Sequence, residues 1–142
     1  MKHLTLAAAL LAGTAFLAPS WAATVTYSAT LKGASEVPPT TSQGTGTFQG
    51  SLDTASKTLT YTLTYSGLTG PATAAHIHGP AAVGANAGVM VPIKPPLASP
   101  VKGTATLTDA QIKSMDDGMT YANIHTKEHP AGEIRGQISK GG

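Results

Sequence analysis

Thr58-Leu59-Thr60-Tyr61-Thr62-Leu63-Thr64-Tyr65 decides the fold class. Threonine alternates strictly with a large apolar or aromatic side chain, and an extended strand turns a repeat of two into one polar and one apolar face. A helix would scatter both kinds around its circumference. β-Branched threonines suit an exposed pleat, while Leu59, Tyr61, Leu63 and Tyr65 supply one row of a core, so residues 57–65 read as a half-buried strand.

The same period continues on both sides. Upstream, Val25, Tyr27, Ala29 and Leu31 alternate with Thr24, Thr26, Ser28 and Thr30; residues 44–52 are again extended, and 53–56 form the turn of a hairpin. Between them, residues 32–43 carry Glu36-Val37-Pro38-Pro39 and read as a loop, because paired prolines do not fit inside a sheet. Downstream, residues 67–73 turn the chain into a strand bearing His76 and His78, which Gly79-Pro80 ends. Residues 81–88 are small and Gly-rich and read as an exposed loop beside the histidines. Pro92, Pro95 and Pro96 confine a short strand at 89–93 to an edge. Residues 101–107 alternate once more. Thr108-Asp109-Ala110-Gln111 then matches a capping box, and Ile112 and Met115, a turn apart, mark one short helix ending by Gly118.

The last two strands are residues 120–125 and 133–139, joined by Lys127-Glu128-His129-Pro130-Ala131-Gly132. Ala122, Ile124, Ile134 and Ile138 define their core side. Tyr121, Asn123, His125, Glu133, Arg135 and Gln137 point the other way, so the histidines are expected on an outward face. Seven or eight strands with one short helix indicate an all-β protein, an immunoglobulin-like or Greek-key β-sandwich or barrel.

Composition narrows the function classes. The 142-residue chain opens on Met1-Lys2-His3, an apolar run over 4–17, and Ala18-Pro19-Ser20-Trp21-Ala22. A cationic start, a short apolar segment and a small-x-small site at Ser20 and Ala22 describe a secretory signal peptide over residues 1–22, cut after Ala22. The run is shorter than the ~20 residues a spanning helix needs. Residues 23–142 are therefore expected as one domain, periplasmic or secreted, without membrane contact once the signal is removed. There is no cysteine, which removes disulfides, thiolate catalysis and thiolate metal sites. Charged residues make up 11% and the net charge is +2, which leaves no basic stripe for nucleic acid. Neither a nucleophile elbow nor a glycine-rich phosphate loop is present.

His76, His78, His125 and His129 are all the histidines beyond the signal segment, and they fall in two clusters. On an extended strand His76 and His78 share a face, and a third imidazole from a second strand completes a metal-site pattern. Neutral imidazoles suit copper, zinc and nickel. A nitrogen set without carboxylate or thiolate, in an exported chain, favours copper, as Cu(I) in a trigonal arrangement or Cu(II) with added water; zinc is the less favoured ion. His129 is the preferred fourth ligand, with Met90, Met115, Met119 or water as the others. Tyr121 and Asn123, beside His125, are expected to orient the rings or pack on the sheet. Arg135 is expected to pair with Glu133 or Glu128, the alternative being to guide an anion toward a bound copper, and Glu36 to fix its loop by hydrogen bonds to backbone amides.

Glu36-Val37-Pro38-Pro39, Ala75-His76-Ile77-His78-Gly79-Pro80, and Tyr121-Ala122-Asn123-Ile124-His125-Thr126 followed by Gly132-Glu133-Ile134-Arg135-Gly136-Gln137-Ile138 resemble the CHRD domain, a family named from repeats in chordin and widespread in exported bacterial proteins. The resemblance spans residues 23–142 and implies an immunoglobulin-like sandwich in which His76, His78 and His125 match histidines typical of the family, whereas His129 lies where the family varies. The His-x-His strand also resembles the copper side of Cu/Zn superoxide dismutase in local pattern. Three functions follow as expectations. The leading one is periplasmic copper handling through a multi-histidine site, with another periplasmic copper protein as partner. The second is a protein-interaction module with structural histidines. The third is a dismutase-like copper oxidoreductase, and catalysis is less favoured than binding.

Overall fold

The computed structural model describes residues 21–141 together with Leu17. The expected signal peptide, residues 1–22, lies outside the described residues apart from Leu17, Trp21 and Ala22. No helix among the described residues is long and apolar enough to cross a membrane.

Eight strands form: β1 (Thr24–Lys32), β2 (Thr45–Asp53), β3 (Thr58–Ser66), β4 (Ala72–His78), β5 (Val89–Pro92), β6 (Val101–Thr106), β7 (Thr120–Thr126) and β8 (Ile134–Lys140). They make one antiparallel sheet in the order β5-β4-β7-β8-β1-β2-β3-β6. The helix α1 (Asp109–Asp116) precedes β7. Its capping box is complete: the Gln111 amide donates to Thr108 Oγ1 at 3.2 Å, and the Thr108 amide donates to Gln111 Oε1 at 2.9 Å. Two orphan amides of the first turn are thereby satisfied.

The alternation read from the sequence places the core. Leu59, Tyr61 and Leu63 of β3 are buried, as are Tyr27, Ala29 and Leu31 of β1, Phe48 and Leu52 of β2, Ile77 of β4, Ile124 of β7, and Ile134 and Ile138 of β8. Val91 of β5 and Val101 of β6, on the two edge strands, belong to the same apolar cluster, so the sheet curls nearly closed around a single core. This is the all-β sandwich-to-barrel class expected, with one α-helix among the described residues and a single 3-10 turn at Gly33–Ser35. Met115 plugs it from α1, fully buried.

Pairing of β7 with both β4 and β8 creates the region of interest. Opposed residues of an antiparallel pair share a face. In register, His78 faces Tyr121 and His76 faces Asn123, while Ala74 faces His125. Across the other side of β7, Tyr121 faces Gln137 and Asn123 faces Arg135. The polar side of these three strands is therefore a small grid of His, Tyr, Asn, Arg and Gln, opposite Ile77, Ala122 and Ile124.

Residues 81–88 form the expected exposed loop beside the histidines, and do more than flank them. Positions 82–86 and 88 are exposed, but the loop's backbone lies across the polar grid. Gln137 Nε2 donates to the Ala81 carbonyl at 2.9 Å, Arg135 Nη1 donates to Asn86 Oδ1 at 2.9 Å, and Arg135 Nη2 donates to the Ala85 carbonyl. The Ala87 amide donates to Tyr121 Oη at 3.1 Å. Donors on β7 and β8 bind down a chain that has little side chain of its own to keep it away. The face opposite the core is thus covered, and His78 is only 8% exposed.

Candidate metal site

The imidazole cluster contains His76, His78 and His125. One ring nitrogen of each lies within 4.8 Å of those of the other two. The closest approach is between His76 Nδ1 and His125 Nε2, 3.0 Å apart. An ion about 2.0 Å from each of two imidazole nitrogens holds them roughly 3 Å apart, so this pair already has ligand spacing. The His76 and His125 ring centroids are 4.9 Å apart, and His76 and His78 stand 5.3 Å apart at 89°.

Hydrogen bonds fix the tautomer of His125. Its Nδ1 lies 3.0 Å from the Pro130 carbonyl, an acceptor, so Nδ1 carries the proton and Nε2 turns its lone pair toward His76. A backbone carbonyl that orients a ring in this way also raises its basicity as a ligand. His78 is held at both nitrogens: Nδ1 lies 3.0 Å from the Ala87 carbonyl and Nε2 lies 3.0 Å from Asn123 Oδ1. One of those bonds must open before His78 ligates an ion. The carbonyl that faces Nδ1 sits in the loop beside Gly88, whereas Asn123 is buried in the sheet.

Electrostatics disfavour the cationic, doubly protonated form of either ring. Burial lowers the pKa of His76, and the charges of His125 and His78 lower it further. Burial likewise lowers that of His125; the Pro130 hydrogen bond opposes this and the charge of His78 adds to it. Neutral imidazoles with available lone pairs are the form a metal requires.

Around His78 the grid is tightly packed. Tyr121 stacks on it with centroids 4.8 Å apart and planes within 6°, and the Arg135 guanidinium carbon lies 3.4 Å from the Tyr121 ring centroid. Tyr121 thus orients a ring by packing.

Two expectations for the surrounding charges are corrected. Arg135 makes no ion pair with Glu133 or Glu128 among the described residues: it is 2% exposed and engaged by the loop carbonyl, Asn86 and Tyr121. Glu133 is unavailable because it is fully buried and accepts from Ser42 Oγ, the Thr69 amide, Thr69 Oγ1 and Thr126 Oγ1. The alternation of β8 read it as outward, and no local signal marks its partners, which come from two loops and β7.

Glu36 is the second correction. It is 5% exposed, and its Oε1 has no hydrogen-bond partner. Burial raises its pKa to about 7, against the lowering effects of Arg135, the Val37 amide and Asn123. The Val37 amide is the expected kind of partner, yet desolvation outweighs it. Gly132, at φ 131°, makes room for this carboxyl: a Cβ there would lie 2.5 Å from Glu36 Oε1 and 2.9 Å from Asn123 Nδ2.

The Glu36 proton has a measurable consequence. An unfolded chain releases it near the ordinary value of 4.5, whereas the folded protein holds it to about pH 7. The folded state therefore binds more protons in that window, so this group's stabilising contribution is complete below pH 4.5 and lost as pH rises through about 7. Glu36→Gln should gain about 3 kcal/mol relative to the natural protein between pH 4.5 and 8, read from urea unfolding at both pH values.

His129 does not join the imidazole cluster. It sits in the β7–β8 connection, where its carbonyl accepts from the Gly132 amide at 3.0 Å and its amide donates to Thr126 Oγ1 at 3.2 Å. Among the methionines, Met115 is in the core and Met90 packs against it.

The sequence model of the CHRD domain matches residues 27–138. No curated protein and no solved structure matches the chain.

Proposed function

The chain belongs to the CHRD domain family, and from its imidazole cluster we propose that it binds one copper ion through His76, His78 and His125 and handles copper outside the cytoplasm. The observation that carries this reading is the 3.0 Å approach of His76 Nδ1 to His125 Nε2, with a third imidazole beside them and both pKa values depressed. No carboxylate joins the three nitrogens within the cluster, and there is no cysteine. That donor set suits copper better than zinc, which more often takes a mixed set. His129 is not needed, and water completes the coordination. The export expected from residues 1–22 makes periplasmic or secreted copper handling the setting, with another exported copper protein as partner.

The dismutase reading loses its anion guide, because Arg135 is buried and hydrogen-bonded to the loop. The interaction-module reading has one specific support: His78 has both nitrogens in protein hydrogen bonds, as a structural histidine would.

Competitive titration of the exported protein with Cu(I), Cu(II) and Zn(II) separates these readings. One equivalent of copper bound below micromolar, and tighter than zinc, supports the copper site. No ion bound tighter than micromolar would refute it and leave structural histidines. Asn123, which orients His78, gives a graded check: Asn123→Ala should weaken copper about 10–100-fold, measured by the same competition.

A further inference from the structure

A second site lies beside the imidazole cluster, on the far side of the β7–β8 connection. Residues 36–41 and 128–132 line a groove of about 430 Å³. One wall carries Val37, Pro38 and Pro39; the other carries Pro130 and Ala131. Glu36 belongs to the lining, is more than nine-tenths buried, and leaves Oε1 without a hydrogen-bond partner. Glu128, exposed, adds a second carboxyl to the lining.

A buried carboxyl is ordinarily satisfied by a cation or by several donors, because an unpaired oxygen in a low-dielectric setting is costly. The cation of this region is Arg135: its charge acts on Glu36, but it makes no hydrogen bond to that carboxyl, and its Nη1 and Nη2 donate to Asn86 and Ala85 while its face lies on Tyr121. The Asn123 amide lies near one side of the Glu36 carboxyl, and its Oδ1 is taken up by His78. The acceptor capacity left over is on Oε1, which is buried against Gly132, a residue of the groove's lining that has no side chain to cover it. An occupant that fits carries N–H donors and positive charge at its tip and methylenes along its stem, to lie between the proline walls.

We propose that this groove binds a primary alkylammonium group, the chemistry shared by a lysine side chain and a free aliphatic diamine. The ammonium places its N–H donors on the Glu36 carboxylate, Glu128 adds attraction at longer range, and Val37, Pro38, Pro39 and Pro130 enclose the alkyl stem. An ammonium is compact enough to enter a groove of this size, and three prolines among the eleven lining residues keep the walls rigid before binding. None of His76, His78 and His125 lines the groove, so an amine and a metal would use different side chains.

The test is a backbone-amide NMR titration of the exported protein at pH 8 with a chelator present, so that the outcome does not depend on the copper reading. The probes are N-acetyl-lysine methylamide, its norleucine counterpart, and 1,5-diaminopentane. Saturable shifts in residues 36–41 and 128–132 with the amines, and not with norleucine, are expected. Glu36→Gln should weaken amine binding about tenfold or more. Thr41→Tyr, which fills the groove from its exposed rim and leaves the carboxyl in place, should do the same while the rest of the spectrum is retained. Tighter binding of the lysine derivative would assign the groove to a polypeptide lysine, and tighter binding of the diamine to a free amine; either supports the site. Equal binding of norleucine, absence of saturation, or an unchanged affinity in a folded Glu36→Gln protein would overturn it.

Discussion

His125→Ala is expected to lower copper affinity at least about 100-fold, more than the ~10–100-fold that loss of an orienting partner costs. His125 is the ring whose tautomer is fixed, with Nδ1 donating to Pro130 and Nε2 facing His76 Nδ1 at 3.0 Å. Removing it takes away half of the closest nitrogen pair and leaves His76 and His78 on one strand, their ring centroids 5.3 Å apart. The fold should be little changed, because His125 is half-buried on the polar side and its lost partner carbonyl, Pro130, is in an exposed turn. Competition against a copper chelator reads the affinity, and urea unfolding reads the fold. His76→Ala should behave alike. His78→Ala should lose copper but also some stability, since it leaves Asn123 Oδ1 without the His78 ring as partner. Acidification should release copper as well, and only below the pH at which free histidine protonates, since burial lowers the pKa values of His76 and His125.

The largest effect on stability is expected from Glu133→Ala, a loss of about 3–5 kcal/mol out of the ~5–15 kcal/mol that holds a domain. Glu133 is fully buried, and its carboxylate accepts four hydrogen bonds: Ser42 Oγ at 2.7 Å, the Thr69 amide and Thr69 Oγ1 at 2.8 Å each, and Thr126 Oγ1 at 2.6 Å. Those donors belong to the loop before β2, the loop between β3 and β4, and β7. Alanine removes the acceptor of all four; one of the two threonine hydroxyls, 3.3 Å apart, can turn to the other, and each donor left orphaned costs about 1–3 kcal/mol before water enters to compensate. Burial raises the pKa of Glu133, but the hydrogen bonds from Thr126, Ser42 and Thr69 outweigh it and hold the value below the ordinary 4.5. This group therefore stabilises the protein above pH 4.5, and the contribution is lost as pH falls through its lowered value, opposite in sign to Glu36. Urea midpoints of Glu133→Ala and the natural protein should differ at pH 7 and converge toward acid pH; equal midpoints at pH 7 would refute the assignment.

What sequence pattern makes legible here is the inside of the protein. The alternation of Leu59, Tyr61 and Leu63 with threonine, and the same period in β1, β7 and β8, identify the core rows, because a period of two and a buried face leave few alternatives. The helix was legible through Thr108 and Gln111, whose capping bonds are local. The polar side was harder. Residues opposite the core were read as solvent-facing, yet Asn123, Glu133 and Arg135 are buried, since the loop over residues 81–88 and the one preceding β2 fold back over them. Such closure depends on hydrogen bonds between residues about 50 or 90 positions apart, Arg135 with Asn86 and Glu133 with Ser42, which no local period encodes.

The clustering of His76, His78 and His125 was readable as two motifs, but their mutual distance was not. It is set by the β4–β7 register, in which Ala74 faces His125 and His76 faces Asn123. A slip of one residue would have turned His125 into the core. His129 shows the converse. It lies four residues after His125, yet the chain leaves β7 at Thr126, and the turn carries its ring away from the cluster into the lining of the Glu36 groove.

The most direct test is X-ray absorption on the protein, residues 23–142, loaded with one equivalent of copper. Three imidazole nitrogens at about 2.0 Å, with the outer-shell scattering of imidazole rings and a loss of one ring in His125→Ala, are the predicted result. A shell of oxygen ligands, or a single imidazole unchanged by the His125 substitution, would contradict a copper site built from β4 and β7.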